Sequence, residues 1–342
     1  MIIQLKWQII ITDKERNVNT KLIRRITTIL LSICLLTGCS GSTASNAGFR
    51  DKDKLSVVTT IYPVYDFACN VAGDKAEIIN LVPAGVEPHD FELSTGDMQL
   101  LEQADVFIYN GANMEHFVDK TLASISNKDL IVVECAKDVE LLHGTHSHEH
   151  EDEEDEHDEK SSEEEALTEQ LDPHTWLSVS NAIIETEAIK IALVEADPEN
   201  ADYYESNFDT YKEKLVKLQE LYKAELTDLS TDTIVVAHEA FGYLCEEYNL
   251  KQEGIEGLTA DSEPDSARMK EIIDFCKEND IKIIFFEELV SPKVAETVAS
   301  EIGAETMVLN PIEGLTTEQE AEGLNYIGLM EANLEALKKA LK

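Results

Sequence analysis

The feature of this 342-residue chain that most limits its fold is an alternation that occurs twice. Short, β-branched apolar runs follow one another with helical patterns between them. In the first half the runs are LSVVTT (55–60), AEIINLV (76–82), VFIYNG (106–111) and LIVVEC (130–135). In the second they are TIVVAH (233–238), IKIIFFE (281–287) and ETMVLN (305–310). Period alone does not separate a short apolar run from a buried helix. Here the length of the runs and their valine and isoleucine content decide for buried strands. PVYDFACNVAG, STGDMQLLEQA, SARMKEIIDFCKEND and SPKVAETVASEIG read as the helices between them. The alternation predicts an α/β architecture of two parallel-sheet lobes.

A different kind of segment joins the two blocks. From Pro198 to about Leu229 the chain contains no glycine and repeats apolar residues at helical spacing. Asp197-Pro198 fits a helix start with proline in the first turn. Some thirty residues of helix would span about 45 Å, a stiff spacer between lobes. An ordinary surface helix would explain the amphipathicity but not the length. The stretch from about His143 to Gln170 is the opposite. It has no apolar periodicity, its residues 149–165 carry twelve acids against one lysine, and it reads as a disordered loop.

The front of the chain indicates a compartment. Lys21, Arg24 and Arg25 precede a short apolar core, Ile26 to Leu36, too short to span a bilayer comfortably. That is the layout of an export signal. It closes on Leu36-Thr37-Gly38-Cys39, which resembles the bacterial lipobox, whose cysteine is acylated and becomes the first residue after cleavage. An uncleaved anchor helix is the alternative. Residues 1–38 are therefore set apart as a signal, with Met1 to Thr20 reading as an over-extended start. The remaining segments read as a flexible lipid-anchored linker (39–54), an N-terminal lobe (55–180), connecting helices (181–229) and a C-terminal lobe (230–342). The formal charge of −41 excludes nucleic acid as a partner, since phosphate would be repelled. Cys69, Cys135, Cys245 and Cys276 form no C-x-x-C pair, which argues against a thiolate metal cage. Disulfides and buried free thiols both remain open for them.

The chain has nine histidines, and eight fall in two patterns. His89 in GVEPHDFE, His174 in LDPHTW and His238 in VVAHEAFGY sit just past strands or in short polar loops. His143, His146, His148, His150 and His157 lie in the acidic loop, as candidates for weak secondary metal sites. Imidazole is the commonest metal ligand and suits zinc. Ligands of open α/β sheets bind outside the carboxyl ends of strands, so His89 and His174 from one lobe and His238 from the other could converge in the cleft between lobes. Each alone reads first as a structural histidine; three together, in a chain poor in histidine elsewhere, read as metal ligands. His116, near a helix start, reads as structural.

At this point the chain resembles the metal-binding receptor lipoproteins of ABC importers, the zinc and manganese branch. The resemblance rests on TTIYPVYDFACNVAGDKAEIINLVPAGVEPHDFELSTGDMQLLEQADVFIYNGANMEHFV, DPHTWLSVSNA, ADPENADYYESNFDTY, VVAHEAFGYL and MVLNPIEGL. It implies two α/β lobes on one long rigid helix, a metal in the cleft, and a membrane permease with its ATPase as partners of a monomeric, lipid-anchored, extracytoplasmic receptor. It also implies His89, His174 and His238 as ligands. Manganese members usually carry a carboxylate at the third position, so His238 favours Zn2+. Some zinc members have glutamate just before the first histidine, where this chain has Pro88; others take the fourth ligand from the loop that here holds Glu313. Glu287, ending IKIIFFE, is the reserve.

Three imidazoles and a carboxylate would close a tetrahedral zinc shell, leaving no position for an activated water. That chemistry fits capture and delivery, not catalysis. The rivals are a manganese receptor or adhesin of the same fold, and a zinc hydrolase using Glu239, Glu287 or Glu288 as base. The hydrolase lacks an HExxH motif.

Overall fold

The structure, a computed structural model, describes residues 48–144, 171–259 and 264–342. The export signal, Cys39, and His146, His148, His150 and His157 lie outside the described residues. No helix among the described residues is long and apolar enough to cross a membrane.

Two four-stranded parallel sheets repeat one topology. The first contains β1 (Leu55–Thr59), β2 (Ala76–Asn80), β3 (Val106–Tyr109) and β4 (Ile131–Glu134) in the order β2-β1-β3-β4. The second contains β5 (Thr233–Val236), β6 (Lys251–Gly254), β7 (Ile283–Phe286) and β8 (Glu305–Val308) in the order β6-β5-β7-β8. Seven of these strands coincide with the apolar runs of the sequence. β6, KQEG, does not; it pairs in register with β5 from Thr233↔Lys251 to Val236↔Gly254.

Helices α1 (Tyr62–Ala72), α2 (Thr95–Leu101) and α3 (Val118–Ser124) belong to the first lobe. The second lobe carries α6 (Gly242–Tyr248), α7 (Ser266–Glu278), α8 (Lys293–Ile302), α9 (Thr317–Glu322) and α10 (Tyr326–Leu341). Between them run α4 (Val179–Ala196) and the long α5 (Ala201–Glu225). A short 3-10 turn, Pro198–Asn200, precedes α5, so proline stands just ahead of the helix as expected. With 25 residues, α5 spans about 38 Å, shorter than its sequence suggests. It stops because Leu226 turns into the core and Asp228 takes a left-handed conformation. Tyr204, Phe208, Tyr211, Leu215, Leu218 and Tyr222 form its buried stripe, at helical spacing.

Strand side chains alternate between two cores. Val57, Val106 and Ile108 of the first sheet and Ile234, Val236, Ile283 and Phe285 of the second join one continuous central core with α1, α4, α5 and α10. Val58 and Phe107 face an outer core under α2 and α3; Val235 and Ile284 face another under α7 and α8. Each sheet is thus covered on both faces, as parallel sheets require. The linker expected over 39–54 is already tethered at its end: Phe49 packs on the first outer core, and the Arg50 and Asp51 amides donate to Glu77 Oε2 at 2.8 and 2.9 Å. Cys69, Cys135, Cys245 and Cys276 are free thiols.

Candidate metal centre

All four residues that the sequence singles out come together. The donor atoms of His89, His174, His238 and Glu313 lie within 4.8 Å of one another. Each arrives from the carboxyl end of a strand or the loop beyond it: His89 after β2, His174 after β4 and its acidic excursion, His238 two residues past β5, Glu313 past β8. His174, His238 and Glu313 are buried, and the His89 side chain is only 6 % exposed. His116 stays apart and exposed; with His89 it lines a cavity of about 660 Å³. His143 is also exposed and forms an antiparallel bridge with Leu171.

Glu313 Oε1 is the hub. It lies 2.9 Å from His174 Nε2, 3.6 Å from His89 Nε2 and 3.8 Å from His238 Nδ1. His89 Nε2 and His174 Nε2 are 3.4 Å apart. A tetrahedral zinc with bonds of about 2.0–2.1 Å sets its donors about 3.3 Å apart; the distances around Glu313 Oε1 run from 2.9 to 3.8 Å. The Glu313 carboxylate is also hydrogen-bonded to the neighbouring Glu87 carboxyl, so its charge is shared between an acid and the histidines. Glu287, the reserve, lies 3.1 Å from His238 Nδ1 and outside the four-residue donor cluster of the described residues.

The surroundings choose which nitrogen faces the cluster. His174 Nδ1 donates to Asp172 Oδ1 at 2.8 Å, leaving Nε2 for a metal. His238 is turned the other way: Nε2 donates to the Leu258 carbonyl at 2.8 Å, so Nδ1 faces Glu313 and Glu287. Neither Asp172 nor Leu258 was apparent from the sequence. Asp172 had a local signal, two residues ahead of a histidine; the Leu258 carbonyl had none.

Charge is balanced by protons while no cation is bound. Burial lowers the His238 imidazole, but Glu287 and Glu313 outweigh it and raise it to about 10. His174 is likewise raised, with burial opposed by Asp172 and Glu313. Burial would raise Glu313, yet the neighbouring histidines hold it well below the usual carboxylate range. Glu87 is a further, half-buried acid that sequence reading passed over. Burial and the charges of Glu313 and Glu287 push it up to about 9, and its Oε1 accepts the His89 amide at 3.3 Å. A divalent cation would replace the imidazolium protons, so binding releases protons.

Two parallel-sheet lobes on a connecting helix, with one buried His₃Glu cluster at their strand ends, define a solute-binding protein built around a metal-binding cleft. The family model described as zinc-uptake complex component A, periplasmic, matches residues 57–340, and the chain belongs to this ZnuA family. It is 41 % identical over 307 residues to the high-affinity zinc uptake system protein ZnuA of Bacillus subtilis, covering 90 % of this chain and 94 % of the relative. It is 39 % identical over 318 residues to the zinc-binding lipoprotein AdcA of Streptococcus pneumoniae, covering 92 % of this chain but 61 % of that longer protein. The crystal structure of the Zn(II)-bound ZnuA-like domain of AdcA superposes with a TM-score of 0.70 at 38 % identity, covering 84 % of this chain and 98 % of that one.

Proposed function

We propose that the chain is an extracytoplasmic receptor that captures one Zn2+ and passes it to an ABC permease and its ATPase for import. The observation that carries this reading is the buried cluster of three imidazoles and one carboxylate, a donor set that suits zinc, with donor atoms within 4.8 Å of one another. His89 Nε2, His174 Nε2, His238 Nδ1 and Glu313 supply the donors. Four protein donors leave no position for an activated water, so the site holds its cargo and does no chemistry on a substrate. Its nitrogen-rich shell disfavours manganese, which prefers oxygen. The family is one of substrate-binding components, and its named relatives are zinc-uptake and zinc-binding proteins. Acylated Cys39 anchors the monomeric receptor to the membrane, and the acidic, histidine-rich stretch with His143, His146, His148, His150 and His157 adds weak metal sites. The segments 55–180, 181–229 and 230–342 act as lobe, connector and lobe.

The test is metal analysis of the purified protein from Cys39 onward, with competition among zinc, manganese and copper. One tight zinc per chain is expected. His89→Ala, His174→Ala and His238→Ala should each weaken it by more than the roughly 10–100-fold typical of outer-sphere losses. Full affinity in all three variants would refute the site.

A further inference from the structure

Glu313 sits on an unusual turn. The preceding residue, Ile312, is fully buried and has φ 60°, a left-handed conformation that a β-branched side chain rarely adopts. Such backbone persists only where its surroundings over-determine it. Here they do so from two sides. Within the C-terminal lobe, Asn310 Oδ1 accepts the Ile312 amide at 2.7 Å. Asn310 is itself gripped through both main-chain groups by the buried Asn333 of α10, at 2.8 and 2.7 Å. From the other side, the Trp176 indole Nε1 donates to the Pro311 carbonyl at 2.8 Å. The Tyr62 amide donates to the Glu313 carbonyl at 3.1 Å, and the Gly85 amide to the Leu315 carbonyl at 2.7 Å.

Trp176 is the informative member. It lies two residues beyond His174, is fully buried, and its own carbonyl accepts the Tyr326 hydroxyl at 2.6 Å. The indole thus links the segment that supplies one donor to the turn that supplies another. We infer that Trp176 is a positioning residue for Glu313. It latches the strained Pro311–Glu313 turn across the cleft, and when that bond is given up the turn relaxes and withdraws its carboxylate from the metal. The inference rests on the zinc reading of the site. It gives that site a release step: the carboxylate leaves before the histidines do.

The experiment is a double-mutant cycle between Trp176 and Glu313, read as zinc affinity and as zinc release into excess chelator. Absorption of the Co2+-loaded protein adds a reading of coordination number. Trp176→Phe keeps an aromatic ring and removes only the donor. It should weaken zinc and speed its release roughly five- to tenfold, the loss of one hydrogen bond. It should also shift the Co2+ spectrum toward that of Glu313→Ala. In the Glu313→Ala background the same change should alter none of these. Equal weakening in both backgrounds, or no effect in either, overturns the inference. Asn310→Ala, which frees the turn from its other side, repeats the cycle if Trp176→Phe does not fold. If the unaltered protein binds no zinc, it is the site reading that has failed. If it binds zinc and both cycles are additive, only the latch has failed.

Discussion

At His174 the position of one proton decides whether a nitrogen faces the metal as a lone pair or as a donor. Asp172 makes the choice by accepting both the Nδ1 proton at 2.8 Å and the His174 amide at 2.9 Å. An asparagine in its place can turn its amide toward Nδ1, which moves the proton to Nε2 and blocks the metal-facing atom. Asp172→Asn should therefore weaken zinc about 10–100-fold, read by chelator competition. An affinity equal to that of the unaltered chain would show that the tautomer is set elsewhere. The convergence of His89, His174 and His238 was legible from their polar turns and loops, and that of Glu313 through the family resemblance and its place past the last strand. The groups that aim them were less so. Leu258 acts through its carbonyl, which any residue carries, and Glu87 reaches the site through contacts with His89 and Glu313 that no local pattern announces.

Among the elements, those whose side chains do the packing were legible. The runs at 55–60, 106–111 and 233–238 became strands because their β-branched residues fill cores on both faces of a sheet. β6 was invisible because Lys251, Gln252 and Glu253 carry no apolar pattern; an edge strand needs only its backbone to pair. The left-handed Ile312 was equally unreadable, since its residue type argues against its conformation. α4 holds a different surprise. Glu185 is fully buried there, with the Thr175 side chain as its hydrogen-bonding neighbour. Burial pushes its carboxyl up to about 7, with Thr175 offsetting little. A raised carboxylate favours the fold while protonated. Its contribution is therefore full below the unfolded value near 4.5 and is lost as pH rises through about 7. Glu185→Gln should flatten the pH dependence of stability across that window and raise the melting temperature at pH 8 by a few degrees. An unchanged profile would mean that the carboxylate finds solvent.

For the molecule as a whole, the described residues on either side of the acidic segment meet each other. His143 bridges to Leu171, and the Asp172 amide donates to the Leu142 carbonyl at 2.8 Å, so the chain leaves and returns at one place. Replacing residues 145–170 with a short turn should remove the weak metal sites and keep the tight one, as measured by zinc stoichiometry and affinity. Loss of the tight site would mean that the excursion supplies a primary ligand. The lobes, by contrast, are not separable. The inner faces of both sheets share one apolar core, threaded by α1, α4, α5 and α10. Neither half can lose its packing without exposing the other, so heat or a protease meets a single cooperative unit. Cargo held at the cleft then protects every part of the chain, by about 2.7 kcal/mol when free zinc is a hundredfold above its dissociation constant. Outside the cytoplasm, an empty receptor would be degraded sooner than a full one, so its lifetime would follow the zinc supply.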